Sequence, residues 1–315
     1  MPRSFSSSAP VVTGLGFGVA VGVALGAFAL GPVVSGSVGT DETEAAVRDE
    51  YRRSVQDNQI NSAQLKSADE VLAELAPGTV ADTLAQRPVL LISTSNATEH
   101  EVASIQSLLE AAGAINAGRI DLADRFFDKE EADKLSALIA NSLPAGASLS
   151  TKNVGVGMHA GQALGYGLFR DPETTDPLAT VEERATLLQT LKKKDFIKYE
   201  DETVLPAQAI VVVDGRTDGE GTSGFKAEQL AQMLTGLNEV GENTVLAARI
   251  ESAAEMGSIG RLRADKDNEV STVDSINHVW ARIATVLAVR EQLDGRSGAY
   301  GADTSAKAPM PTVKE

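Results

Sequence analysis

Ala209-Ile-Val-Val-Val-Asp214 is the stretch on which the fold turns. Its apolar residues run without polar alternation and end in an aspartate. A strand with one wet face alternates, so this run demands cover on both sides, as in a parallel sheet. Pro88-Val-Leu-Leu-Ile-Ser93 reads the same way.

Working outward, the period switches between strand and helix. Thr98–Gly113 places Val102, Ile105, Leu108 and Leu109 at helical spacing, and Ala114–Leu122 reads as a strand. Lys129–Leu143 is helical through Leu135, Leu138 and Ile139, and Thr180–Lys194 through Val181, Leu187, Leu188 and Leu191. Phe196–Tyr199, Thr244–Ile250 and Ser271–Ile276 read as strands, with helices predicted over Phe225–Leu237 and Val279–Leu293. Alternation of this kind predicts an α/β domain over 87–297, with a largely parallel sheet and helices on both faces. Residues 298–315, containing Ala, Pro, Thr and Lys, are expected to form a disordered tail.

Upstream the chain changes character. After a short tail over 1–8, an apolar stretch at Ala9–Val34 is long enough for a membrane-crossing helix, which takes about 20 residues. Gly14, Gly18, Gly22 and Gly26 recur every fourth residue and share one helix face, a surface on which membrane helices approach closely. A secretory signal peptide is the competing reading, with Ala27-Phe28-Ala29 as its cleavage site. The retained anchor implies a single pass in the cytoplasmic membrane with the main domain outside. Residues 41–76 are charged, lack glycine and proline, and stop before Pro77-Gly78; they read as a helical stalk. A heptad-like seam passes through Val47, Tyr51, Leu65, Leu72 and Leu75, but its middle is Ser54, Asn58 and Asn61. A coiled-coil homodimer and a solvated single helix both fit it.

Composition narrows the functions. The formal charge is −16 over 315 residues, which disfavours nucleic acid and anionic lipid as partners. Cysteine is absent, so disulfides, thiolate metal sites and cysteine nucleophiles are excluded. Aromatic residues make up only 4% of the chain, which fits a core of Ala, Val, Leu and Ile and not an aromatic-rich binding platform.

Gly219-Glu-Gly-Thr-Ser-Gly224 matches the GxGxxG dinucleotide pattern between a strand and a helix. The glycines start too far beyond the strand for the tight turn the pattern needs. Asp214, Asp218 and Glu220 would also set negative charge beside a pyrophosphate. A mobile acidic loop is expected instead. Gly157, Gly161 and Gly165 would share one face of a helix, for contact within the domain or across a dimer; a gating loop is the alternative.

Met158 and His159 are the only soft and borderline ligands side by side, a donor pair that suits copper. Adjacent residues point in different directions, so packing for Met158 and an ordinary polar role for His159 compete with ligation. No GxSxG elbow, HExxH helix or P-loop occurs, and no enzyme is expected.

Five short segments carry a likeness. They are Leu143-Pro-Ala-Gly-Ala-Ser-Leu-Ser-Thr-Lys152, Gly161-Gln-Ala-Leu-Gly-Tyr-Gly-Leu168, Ser271-Thr-Val-Asp-Ser-Ile276, Arg282-Ile-Ala-Thr-Val-Leu-Ala-Val289 and Ala299-Tyr-Gly301. With the apolar segment and charged helix before them, they resemble the actinobacterial MctB family of copper transport proteins, called SteB in corynebacteria. The resemblance implies two roles. One is an envelope partner in cell-wall remodelling and cell separation, working with a membrane protein and a peptidoglycan hydrolase. The other is copper transport or copper homeostasis across the envelope. Without a ligand set or a pore pattern, the residues alone fit the first role better.

Overall fold

The computed structural model describes residues 40–312, with helical side chains from Arg48 onward. Chain contacts divide it into two units, Met1–Ala63 and Gln64–Glu315. The stretch Ala9–Val34, with Gly14, Gly18, Gly22 and Gly26, lies outside the described residues. Among the described residues no helix is long and apolar enough to cross a membrane.

The first described element is helix α1, Thr40–Val80. It passes through Pro77-Gly78, where the sequence predicts its end. Ala76 and Val80 are buried in the domain core, and that burial holds the last turn beyond the proline. Then follow β1 (Pro88–Thr94), α2 (Glu99–Ala111), β2 (Ile115–Leu122), α3 (Ala132–Asn141), α4 (Val156–Leu168) and α5 (Val181–Lys192). The second half contains β3 (Ile197–Lys198), β4 (Ala209–Val213), α6 (Ser223–Gly241), β5 (Thr244–Ala247) and α7 (Ser258–Ala264). It closes with β6 (Ser271–Val273), α8 (Val279–Leu293) and β7 (Ala299–Tyr300).

The seven strands form one sheet in the order β3-β2-β1-β4-β5-β6-β7. All pairings are parallel except β2 with the short edge strand β3. Side chains alternate along the central strands, as the pleat requires. Leu90, Ile92, Ile210 and Val212 join one core cluster with Leu164 of α4, Leu187 of α5 and Leu234 of α6. Val89, Leu91, Val211 and Val213 join the other with Ile105 of α2, Val286 of α8 and Val80 of α1. The two clusters cover opposite sheet faces, which is why neither strand shows polar alternation. Complete burial of each Ile or Val contributes about 1.5–3 kcal/mol.

Two helices start on capping boxes: Thr98 with Glu101 for α2, and Thr180 with Glu183 for α5. Each pair satisfies free amides of the first turn from both directions.

The glycine-rich segment is the helix α4, and its glycines serve contact inside the domain. A Cβ on Gly161 would lie 2.0 Å from the Met233 carbonyl oxygen of α6. In return, a Cβ on Gly236 of α6 would lie 2.4 Å from the Met158 carbonyl oxygen. Only paired glycines allow the two backbones to meet this closely.

The C-terminal tail departs from expectation. Ala299–Tyr300 adds strand β7 to the sheet, and residues 307 and 308 lie back along it. Lys307 donates its amide to the Ala299 carbonyl at 2.8 Å, and Gly301 donates to Ala308 at 3.1 Å. Composition alone suggested disorder because the segment has little apolar mass. Asp274, just past β6, and Arg263 of α7 hold it instead.

Candidate functional site

In an open parallel sheet, ligands enter where the strand order reverses, beyond the carboxyl ends of the two strands there. Here that point lies between β1 and β4. From β1 the chain proceeds to β2 on one side, and from β4 to β5 on the other.

The crevice is bridged by the protein's own side chains. Asp214, just past β4, is fully buried. Thr94, at the end of β1, donates its hydroxyl to one carboxyl oxygen in a short hydrogen bond, and Thr217 donates to the other at 2.5 Å. Asn96 donates its side-chain amide to the Arg216 carbonyl at 3.1 Å and to Thr217 Oγ1 at 3.0 Å. Ser252 accepts from the Thr217 amide at 2.8 Å and donates to the Gly215 carbonyl at 3.1 Å. Burial pushes the Asp214 carboxyl above the usual carboxylate range, against the pull of the two threonines and the Lys226 charge.

Lys226 of α6 stands at the rim. Its Nζ lies 3.3 Å from Ser95 Oγ, 3.7 Å from Asp124 and 5.2 Å from the Phe127 ring centre. Further along the sheet, Arg119 grips Glu99 with two bonds of 2.7 and 2.8 Å and Asp121 with one of 2.6 Å. Glu99 is thereby held below the usual carboxylate range, first by that hydrogen bonding.

The GxGxxG segment is acidic, as expected, but it is held in place. Gly219 has φ +79°, and a Cβ there would lie 2.0 Å from the Met256 carbonyl oxygen. Asp218 accepts from the Glu220 amide at 3.1 Å and from Ser223 Oγ at 2.8 Å. These bonds keep the Asp218 carboxyl ionised, below its ordinary range. A pyrophosphate on this loop would meet Asp218 where the motif requires free amides.

Met158, on α4, is buried. His159, its neighbour, donates Nε2–H to the Ser150 carbonyl at 2.9 Å. Among the described residues no group of three His, Cys, Asp or Glu side chains is arranged to hold a metal. His278 is engaged with Asp69 at 2.9 Å.

The stalk residues divide. Tyr51, Leu65 and Leu75 are exposed, whereas Leu72 packs against the α2–α8 core cluster. The side chain of Val47 lies outside the described residues. Leu72 leaves the seam because α1 spends its last turns on the sheet domain.

Sequence reasoning missed Asp69. Its carboxylate accepts from the Val279 amide at 3.0 Å and so caps α8 from another helix. A capping residue 210 positions away in sequence leaves no local signal. It also missed the ion pair of Arg263 with Asp274, 3.0 Å apart and buried on both sides.

These features define a doubly wound α/β protein whose crevice at the strand-order reversal is filled by its own polar side chains. The family model described as "Copper transport outer membrane protein, MctB" matches residues 4–311. The chain is 30% identical over 290 residues to the Mycobacterium tuberculosis (strain ATCC 25618 / H37Rv) protein named "Copper transporter MctB", covering 87% of this chain and 91% of that one. The protein of the same name from Mycobacterium leprae (strain TN) is 30% identical over 230 residues, covering 70% of this chain and 72% of its own length. The chain belongs to the MctB family.

Proposed function

We propose that this chain serves copper transport or copper homeostasis in the cell envelope as a non-enzymatic component, with copper as cargo. The carrying observation is the extent of the family match. It spans residues 4–311, and the relatives that it joins are named for copper transport. The cell-separation role favoured by the residues alone has no comparable support in these relatives. We assign the apolar stretch Ala9–Val34 as membrane anchor and the exposed residues Tyr51, Leu65 and Leu75 as a self-association surface. In that arrangement the sheet domain acts through assembly and not through a resident copper ion.

A deletion strain tests the copper role. Cells lacking the chain should hold more copper than the parent at raised external copper and grow less well there. The full-length chain should restore both. Unchanged cell copper, with unseparated daughter cells in the deletion strain, would replace this reading with the cell-separation one.

A further inference from the structure

We propose that the cleft at the β2–β3 edge of the sheet is a binding site for a neutral saccharide. The site is independent of the copper reading.

The cleft holds about 810 Å³. Small-molecule sites span about 300–1,000 Å³. It is lined by Glu99 and Gln106 of α2, by Asn116, Arg119 and Asp121 of β2, and by the segment 198–203. β3 stays with β2 for only two residues, Lys198 against Asp121 and Ile197 against Leu122. The chain then leaves β2 and meets it again where the Leu205 amide donates to the Ala117 carbonyl at 2.9 Å. The cleft opens between these two points.

A bulge in β2 sets the lining. Against β1, Val89 faces Asn116 but Leu91 faces Arg119, so β2 carries one extra residue. In a regular strand residues three apart point to opposite faces, whereas here Asn116 and Arg119 line the same cleft. Gly118 permits this course. Its φ is +104°, and a Cβ there would lie 2.6 Å from the Thr203 carbonyl oxygen of the returning chain.

The lining selects the class of ligand. Among the described residues that form it, none is aliphatic and Tyr199 is the one aromatic, so an apolar molecule finds little surface to cover. The charges are already matched. Arg119 holds Glu99 and Asp121, and Lys198 stands opposite Asp121 in the strand register. An anion would have to draw Arg119 away from two carboxylates, and a cation would have to displace it from them. A hydroxyl does neither.

Hydrogen-bonding atoms remain for it. Asp121 Oδ1 accepts from Arg119 and from Ser93 at 2.5 Å, which leaves Oδ2. Asn116 Oδ1 accepts from the Gly118 amide at 2.8 Å, which leaves two N–H donors. Gln106 Nε2 donates to Glu110 at 3.2 Å, which leaves its carbonyl oxygen. The Thr203 hydroxyl donates to the Glu200 carbonyl at 2.7 Å, which leaves its lone pairs. Each of these side chains is held by a bond on one atom and offers another, so little order is lost when a ligand binds. Donors and acceptors side by side, without net demand for charge, match a ring of hydroxyls, each of which both donates and accepts.

The test is saturation-transfer NMR followed by calorimetric titration of the full-length chain, in a detergent that carries no sugar. The probes are glucose, galactose, mannose, arabinose, N-acetylglucosamine, maltose, lactose and cellobiose, with glucuronate and glucosamine as charged counterparts. Saturable binding of at least one neutral sugar is expected, stronger than that of either charged one. It should be about fivefold weaker in Asn116→Ala and in Gln106→Ala, as one lost hydrogen bond implies. Gln106→Ala keeps a good helix former on α2 and should melt with the parent, so its binding reads the cleft and not the fold. Absence of saturable binding of every neutral probe by the parent overturns the proposal. So does preference for glucuronate or glucosamine, and so does equal binding by the parent and Gln106→Ala.

Discussion

Asp214 and Asp274 occupy equivalent places at two points of the sheet. Each follows a strand directly, β4 for one and β6 for the other, and each is fully buried. Their surroundings differ. Asp214 is met by the hydroxyls of Thr94 and Thr217, with no ion pair to a cation among the described residues. Asp274 is paired with Arg263 at 3.0 Å and also accepts from Ser275 Oγ at 2.8 Å and the Ala302 amide at 2.7 Å. The first acid ties loops together at the middle of the sheet. The second holds the C-terminal tail, since Arg263 also donates to the Tyr300 carbonyl at 2.6 Å and to Ser305 at 2.9 Å. The same residue type after a strand therefore serves as a hydroxyl-bound knot in one place and as the anion of a buried clasp in the other. Which role it takes depends on whether the neighbouring helix delivers an arginine.

Breaking the clasp should have the largest effect. Arg263→Met leaves Asp274 buried without its cation, a loss of about 3–5 kcal/mol by denaturant unfolding. The segment 301–312 should then become accessible to limited proteolysis, because its anchor on Arg263 is gone. Equal stability of parent and variant would remove the distinction between the two aspartates.

A capping acid with partial exposure sets the intermediate scale. Asp69→Ala removes the Val279 cap and the His278 contact, and should cost about 0.5–2 kcal/mol in the same unfolding experiment. A loss as large as that of Arg263→Met would show that α1 docking, and not the buried pair, dominates this sheet face.

The smallest effect belongs to Asp214→Asn, and it should depend on pH. Burial raises the folded-state pKa of Asp214, so between the unfolded and folded values the native state binds the extra proton. That contribution is fully present below the unfolded pKa and is lost as pH rises through the raised folded pKa. Asparagine cannot titrate. The substitution should therefore cost about 0.5–1.5 kcal/mol in acid, for one disrupted hydrogen bond, and less at alkaline pH. Glu101 runs the other way. Burial opposes its charge, but hydrogen bonds from Thr98 and Arg249 outweigh that and depress its pKa. Its contribution is lost as pH falls through the depressed value, and Glu101→Gln should flatten the acid limb that Asp214→Asn leaves intact. A pH-independent cost for Asp214→Asn would contradict a site in which burial holds the carboxyl above its ordinary range.

By itself the sequence determined the element types. Val89–Ile92 and Ile210–Val213 could only be strands covered on both faces, because their apolar runs leave no side for water. Helices at Thr98, Thr180 and Val279 were legible from spacing, which is a property of neighbours in the chain. The GxGxxG segment could be doubted as a phosphate loop from its own aspartates. Tertiary structure alone decided what those elements meet. The strand order, the α4–α6 contact through Gly161 and Gly236, and the fate of the C-terminal tail depend on groups far apart in sequence. So do the partners of Asp69, Asp214 and Asp274, which lie up to 210 residues away. Hydrophobic periodicity is written locally and survives in a one-dimensional reading. A buried polar group is satisfied by whatever the fold delivers to it, and that is known only once the chain has closed on itself.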